Sequence, residues 1–281
     1  KDFSYNLKFA IWDNVTKVTK YMATTNTLPT NYATNYYEGM TLGELWGYTC
    51  NGLFQSDEEA QTYADYSKFA QNKIVWQKGD PKYEDLNGDG RIDSQDERPI
   101  AYQDNSSVAP QPIINGGLTL GFDWKGIDLS ADFSLAGGYA FTPNWETRWP
   151  FQNGRTLVRE TQFKNRWRHE DPFDPNSAWI PGDVPALRFT AREYVSWNRN
   201  LDYWTTNVVA FRLRSLEIGY TLPRKWLAAA RIQKVRFYVN TYNLFSIDNV
   251  KKYGVDPEIA DRNGMQYPQN RVVNIGANLT F

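Results

Sequence analysis

Residues 113–141 read IINGGLTLGFDWKGIDLSADFSLAGGYAF, and this stretch decides the fold class. Between positions 127 and 135 the odd residues are Ile, Leu, Ala, Phe and Leu, while the even residues are Asp or Ser. A period of two is typical of a β-strand with one apolar and one polar face. Little more than Lys125 and Gly126 separates this strand from the one before it, so the stretch predicts a hairpin of two long antiparallel strands.

The same alternation recurs along the chain. Residues 3–11 and 273–281 repeat it, with the apolar side chains at odd positions. Less regular strands are predicted at 42–55, 208–222 and 233–245. Together with the hairpin, these segments predict an all-β, antiparallel chain of about seven strands, most of them long.

The connections between these strands alternate between short and long. A membrane β-barrel has short turns on its inner side and long loops outside, whereas a soluble sandwich has no reason for this asymmetry. Segment 13–41 is an exception, because the alternation puts it on the inner side although it is long. The long connections are polar and rich in Gly, Pro, Asn and Asp, and they comprise 56–112, 141–207 and 246–269.

Strand length and aromatic ends also match a bilayer. Crossing the hydrocarbon takes about 9–11 tilted residues, with aromatic side chains at both interfaces. Strand 113–124 ends in Phe122 and Trp124, and its partner ends in Tyr139 and Phe141. These features together predict a transmembrane antiparallel β-barrel of which this chain supplies only part of the wall, since such barrels have about eight strands or more.

Composition excludes several classes of function. The 281 residues include 31 Lys+Arg and 32 Asp+Glu, and this balance argues against a nucleic-acid partner or a polybasic membrane tether. One Cys and one His exclude an internal disulfide framework and a multi-histidine metal site. No stretch approaches the roughly 18–20 apolar residues of a transmembrane helix. The sequence opens at Lys1 without a signal-peptide core, which predicts a mature product or a piece of a longer chain.

Several ordered strings carry a family resemblance. Residues 47–59 read GYTCNGLFQSDEE, 79–93 read GDPKYEDLNGDGRID, and 213–223 read LRSLEIGYTLP. Further strings are VNTYNLF at 239–245, GVDPE at 254–258 and the terminal Phe281. In this order and spacing, the strings resemble the SusC-type (SusC/RagA-like) TonB-dependent outer-membrane transporters.

The resemblance implies that residues 1–281 are the carboxyl-terminal third of a 22-stranded barrel whose plug and earlier strands lie outside this chain. It implies import of oligosaccharides, or of peptides, across the outer membrane of a Bacteroidetes-type bacterium. A SusD-like surface lipoprotein would close over the barrel mouth, and the absent amino-terminal part would contact the TonB complex. Asp128, Asp132 and Asn278 are then expected to face the lumen, and no residue here is expected to be catalytic.

Residues 85–96 have the spacing of a calcium-binding loop. With Asp85 as position 1, Gly90 stands at the sharp turn, and Asp96 replaces the usual, longer Glu at position 12. We expect Ca²⁺ here as a structural staple of the extracellular loop 56–112, and the alternative is a solvated turn without an ion. The predicted ligands are Asp85, Asn87, Asp89, the backbone carbonyl of Arg91, Asp93 and Asp96.

The extracellular loop 141–207 holds six of the eleven tryptophans, interleaved with arginines. Flat rings can stack on sugar C–H surfaces, and guanidinium groups reach hydroxyls or carboxylates. Three interpretations remain open: the rings pack on one another, they meet the lid partner, or they contact cargo. The candidate cargo or lid contacts are Trp145, Trp149, Trp167, Trp179 and Trp204.

Other features have ordinary structural interpretations. His169 has no nucleophile placed beside it by a motif, and Cys50 is expected to be a small packing residue within a strand. Ser56 to Ala64 predicts a short helix with Ser56 as N-cap and Glu59 in a capping box. The competing functions are a secreted, calcium-stapled, carbohydrate-binding β-sandwich and a glycan-cleaving enzyme.

Overall fold

The structure is a computed structural model that describes residues 3–21, 36–67, 76–102, 112–143, 148, 150–151, 158–187, 200–230, 232–258, 267 and 269–281. Its strands are β1 (Phe3–Asp13), β2 (Glu44–Gly47), β3 (Cys50–Leu53), β4 (Pro81–Tyr83), β5 (Arg98–Tyr102), β6 (Ile114–Trp124), β7 (Ile127–Phe141), β8 (Arg168–His169), β9 (Trp179–Ile180), β10 (Thr206–Thr221), β11 (Lys234–Asp248) and β12 (Val272–Thr280). Its α-helices are α1 (Asp57–Thr62), α2 (Glu160–Lys164) and α3 (Arg224–Leu227).

Six long strands form one antiparallel sheet, which we call the wall. Their order is β1-β6-β7-β10-β11-β12. The predicted hairpin is confirmed: Lys125 and Gly126, with φ of 50° and 89°, form a two-residue turn that sets Trp124 opposite Ile127. Within the described residues, β1 and β12 each have one unpaired edge, so the sheet is open.

One face of the wall is apolar and uncovered. The register aligns the odd residues of β1 with apolar residues of β6, as in the pair of Leu7 and Leu120. Leu7, Phe237 and Ile275 are 61%, 51% and 83% exposed, although aqueous sheets bury such side chains against a second layer. No second sheet or helix covers these side chains within the part of the chain that the structure describes.

The prediction of a wall strand at 42–55 is wrong. This stretch forms β2 and β3, which pair with β5 and β4 outside the wall. Gly43, just before β2, and Gly52, within β3, have φ of 91° and 83°, so the backbone leaves the extended conformation at both positions. Gly47 fits against Asn200, whose carbonyl oxygen would lie 2.4 Å from a Cβ at that position.

This correction also explains the length of segment 13–41. Without a wall strand at 42–55, residues 14–113 are one long connection between β1 and β6. It leaves the wall at the same end as the connections 142–205 and 249–271, because strands in an antiparallel sheet alternate in direction. We call this end the loop end, and all three long connections lie there.

The first two long connections share one aromatic core, which we call the loop core. Backbone hydrogen bonds join them: the Tyr48 amide donates to the Asn200 carbonyl, and the Asp202 amide donates to the Tyr48 carbonyl, at 2.9 and 3.1 Å. Tyr83 is fully buried, with its ring 5.4 Å from that of Tyr48. The buried members of the loop core are Tyr48, Phe54, Ala60, Tyr66, Trp76, Tyr83, Ile92, Leu201 and Trp204.

Helix α1 begins as the sequence predicts. The Ser56 hydroxyl accepts the Glu59 amide at 3.0 Å, which confirms Ser56 as N-cap. The Glu59 carboxylate reaches back to the Gln55 amide, one residue earlier than a standard capping box requires. None of the described helices is long and apolar enough to cross a bilayer.

Candidate functional site

The face of the wall opposite the apolar one carries polar side chains that bond across the strands. Asp132 on β7 accepts hydrogen bonds from the hydroxyls of Thr119 on β6 and Ser215 on β10, at 2.7 and 2.8 Å. These contacts hold one carboxylate over the middle of three strands. A polar face built in this way can contact water or a polar solute while the other face stays apolar.

A second cluster lies nearer the short turns. Arg236 on β11 reaches across β10 to Asp128 on β7, with its Nε atom 2.9 Å from a carboxylate oxygen, and it also pairs with Glu217. Gly219 leaves the space for this crossing, since a Cβ there would lie 2.4 Å from a guanidinium nitrogen. Two carboxylates share one guanidinium, so this cluster carries a net negative charge.

Charged side chains also tie the third long connection to the wall at the loop end. Arg212 is buried and pairs with Asp256 at 2.6 Å, while Arg214 pairs with Glu258. The Tyr139 hydroxyl donates to the carbonyl of Pro257 at 2.6 Å. The strings at 213–223 and 254–258 therefore come together in space.

No motif in the sequence singles out Arg212, Arg214 or Arg236. The available signal for the first two was their spacing of two residues on a predicted strand, which places both on one face unless a bulge intervenes. The structure has a register shift between Leu213 and Ser215 beside them. Their carboxylate partners are more than 40 residues away, and nothing local to the sequence indicates that pairing.

Cys50 lies in β3, in a short strand of the loop core rather than in the wall. Its amide donates to the Asp202 carboxylate at 2.8 Å, and this bond helps to join the first two long connections. Burial raises the pKa of the Cys50 thiol to about 11 and also raises the pKa of the Asp202 carboxyl. A thiol with so high a pKa is a poor nucleophile, in keeping with a packing role.

The structure describes three of the five tryptophans predicted to contact cargo or the lid. Trp145 and Trp149 lie outside the described residues. Trp167 and Trp204 are only 4% and 8% exposed, and their rings pack against residues of this chain. Trp179 is half-buried, with its ring 4.2 Å from that of His169. Their contact with cargo or with a lid remains a prediction.

Trp204 has a buried cationic neighbour. The Arg148 guanidinium lies 5.4 Å from the centre of the Trp204 ring, and burial lowers the pKa of Arg148 to about 10. The Arg148 carbonyl accepts a hydrogen bond from the Gln162 amide group at 3.1 Å. This arginine therefore belongs to the packing of the loop core.

The predicted calcium loop is closed by its own hydrogen bonds. The Asp85 carboxylate accepts the amides of Gly88 and Gly90, each at 2.7 Å, and the fully buried Asp96 accepts the amide of Leu86 at 2.9 Å. The other predicted ligands, each with hydrogen bonds inside the loop, are Asn87, Asp89, Arg91 and Asp93. Among the residues described, no three acidic, histidine or cysteine side chains are grouped to hold a metal ion.

The chain is similar to curated TonB-dependent receptors. No protein-family model matches the chain. It is 25% identical over 287 residues to TonB-dependent receptor P39 of Formosa agariphila, covering 87% of this chain and 25% of that protein. The chain is thus similar in sequence to a TonB-dependent receptor. TonB-dependent receptor P3 of the same organism is 24% identical over 261 residues, covering 87% of this chain and 22% of that protein.

The chain thus spans about a quarter of the length of the curated receptors it matches. TonB-dependent receptors reside in the bacterial outer membrane as β-barrels, and they are transporters rather than enzymes. That no residue of this chain is catalytic stays a prediction.

Solved structures show the fold. All of this chain superposes on 27% of a chain of the RagAB peptide transporter, with a TM-score of 0.63 and 20% identity. The open-open and closed-closed states of the RagAB peptide importer each give a TM-score of 0.61 at the same identity. The wall therefore matches part of a SusC/RagA-like barrel, and this accounts for its two unpaired edges.

Proposed function

We propose that this chain forms the carboxyl-terminal part of the barrel wall of an outer-membrane importer that is powered through TonB. The observation that carries the proposal is the wall itself, whose exposed face is apolar while its opposite face is polar and hydrogen-bonded. Lipid contact on one side and a polar passage on the other require this arrangement. The remaining strands and the plug would come from the rest of the receptor.

In this proposal the wall is a rigid passage and performs no chemistry. The cross-strand bonds of Asp132 and Arg236 fix the lumen face, so cargo meets an ordered polar surface. At the loop end, the loop core and the pairing of Arg212 with Asp256 hold the long connections in place. A SusD-like lipoprotein would close over this end, as the similarity to the two-component RagAB importer supports.

The cargo is an oligosaccharide or a peptide. RagAB is described as a peptide importer, and tryptophan-rich and arginine-rich loops suit either class of solute. A test is to delete the receptor in its native bacterium and to measure uptake of labelled oligosaccharide and peptide pools. We expect the deletion to abolish uptake of one pool. The full-length receptor should restore this uptake, and removal of TonB should abolish it again. Uptake of both pools that is unchanged by the deletion would refute the proposal.

We also propose that residues 85–96 bind Ca²⁺ as a structural staple. Support comes from oxygen side chains at the required spacing and from the complete burial of Asp96, whereas the other four predicted side-chain ligands are exposed or half-buried. Calorimetric titration of the full-length receptor with Ca²⁺ should give a binding heat that Asp89→Ala removes. The matched control is Asp57→Ala in the same connection, which should leave the heat unchanged. Absence of heat with the unaltered receptor would retire the site.

A further inference from the structure

The hairpin of β8 and β9 ends in a tip, residues 171–177, that is fixed by its own hydrogen bonds. The Asp171 carboxylate accepts the amide of Phe173, and the Asp174 carboxylate accepts the amide of Asn176, each at 2.9 Å. The Ser177 hydroxyl lies 2.8 Å from the Asp174 carbonyl. Each polar side chain that closes the turn therefore makes a hydrogen bond to the backbone, and these bonds give the tip a defined shape.

The base of this hairpin is anchored to buried residues. The His169 Nδ1 atom lies 3.0 Å from the Ser177 carbonyl oxygen, and the His169 ring packs on Trp179. Trp179 in turn lies 6.5 Å from the ring of the buried Trp167. The tip is consequently held in a fixed position relative to the loops that lie beneath it.

This fixed tip presents an aromatic ring to solvent. Phe173 is 92% exposed, more than any other large apolar side chain in the described part of the chain. Glu170, Asp171 and Asp174 are also exposed and lie within three residues of it along the chain. Single apolar residues are common on protein surfaces, but a phenyl ring on a rigid turn loses little conformational entropy when a partner buries it.

We propose that Phe173 is a docking point for the surface lipoprotein, which would receive the ring in an apolar pocket rimmed by Lys or Arg. The inference rests on the proposed function, which supplies the partner. Rigid aromatic side chains are typical anchors of protein interfaces, and the three neighbouring carboxylates match a basic rim. The same carboxylates disfavour an anionic membrane surface as the occupant.

The test compares binding of the separately purified lipoprotein, without its lipid anchor, to the full-length receptor in detergent. Phe173→Ala should weaken binding about tenfold or more, as is typical when an interface anchor is truncated. Phe173→Trp should retain most of the affinity, because it keeps a large ring on the same turn. The matched control is Phe163→Ala in the same connection, whose ring is 54% exposed and has the Arg166 guanidinium 4.0 Å from its centre.

The outcomes separate this inference from the proposed function. If the unaltered receptor binds the lipoprotein and Phe173→Ala binds it equally well, the docking point is wrong and the importer proposal stands. If the unaltered receptor does not bind the lipoprotein, the docking point and the proposed lid partner are both wrong, and the uptake test still decides the importer proposal. A photoreactive phenylalanine analogue at position 173 should cross-link to a basic-rimmed pocket of the lipoprotein. Cross-links confined to the receptor itself or to lipid would overturn the inference.

Discussion

Gly219→Ala is expected to weaken the wall by displacing Arg236. The new Cβ would lie 2.4–2.6 Å from three guanidinium atoms, so the guanidinium must swing away. The movement itself costs little because the arginine side chain is flexible, but it breaks the contact with Asp128. The two side chains are 15% and 28% exposed. Charge-assisted hydrogen bonds contribute about 1.5–3 kcal/mol, and the partial exposure here reduces this to about 1–2 kcal/mol.

The assay is denaturant unfolding of the full-length receptor in detergent. Gly117→Ala is the matched control, since its Cβ would meet only the Phe133 carbonyl, at 3.9 Å, and it should change stability by less than about 0.5 kcal/mol. Arg236→Ala should reproduce the loss, and combining it with Gly219→Ala should add almost nothing. Fully additive losses, or equal stability of the two glycine variants, would refute the reasoning.

Three further predictions concern the two faces of the wall and the loop core. Ile275→Arg should destabilise the receptor in lipid vesicles by about 2–4 kcal/mol, whereas Asn274→Arg on the polar face should destabilise it far less. Equal losses of stability would contradict the assignment of faces. Tyr83→Ala removes a fully buried ring and should cost about 3–5 kcal/mol of loop-core stability. Trypsin should then cleave the loops faster, while the barrel keeps its heat-modifiable electrophoretic mobility. The pKa of the Cys50 thiol is about 11 against an ordinary 9.0, so its thiolate at pH 8 should be about a hundredfold less abundant than that of an ordinary cysteine. Alkylation of Cys50 should therefore be slow at pH 8 and accelerate up to pH 11. Rapid labelling at pH 8 would contradict this.

Alternation predicted the wall because a strand with one face in lipid and one in water repeats every two residues. The hairpin at Lys125 and Gly126 was predictable for a local reason, since two residues of positive φ close it. The same was true of the Ser56 cap, which depends on a bond three residues away. Each of these features is specified within a few neighbouring positions.

The errors arose where distant contacts override the local pattern. Residues 42–55 carry aromatic side chains at even positions, a pattern that favours a wall strand. The rings of Tyr48 and Phe54 instead pack into the loop core. The backbone there pairs with Asn200 and Asp202 of another connection. The ion pair of Arg212 and Asp256 likewise depends on the fold bringing two strands and a loop together. Spacing along the chain carries no information about such pairings.

The most direct test of the account asks whether lipid touches the apolar face of the wall. Spin labels would be placed singly at positions 272–279 of the full-length receptor, with Cys50→Ser as the background, and the receptor reconstituted in bilayers. We predict that labels at 273, 275, 277 and 279 are accessible to oxygen dissolved in the lipid, while labels at even positions are accessible to a water-soluble nickel chelate. Odd positions shielded from both reagents would show that protein covers this face, and would contradict the account.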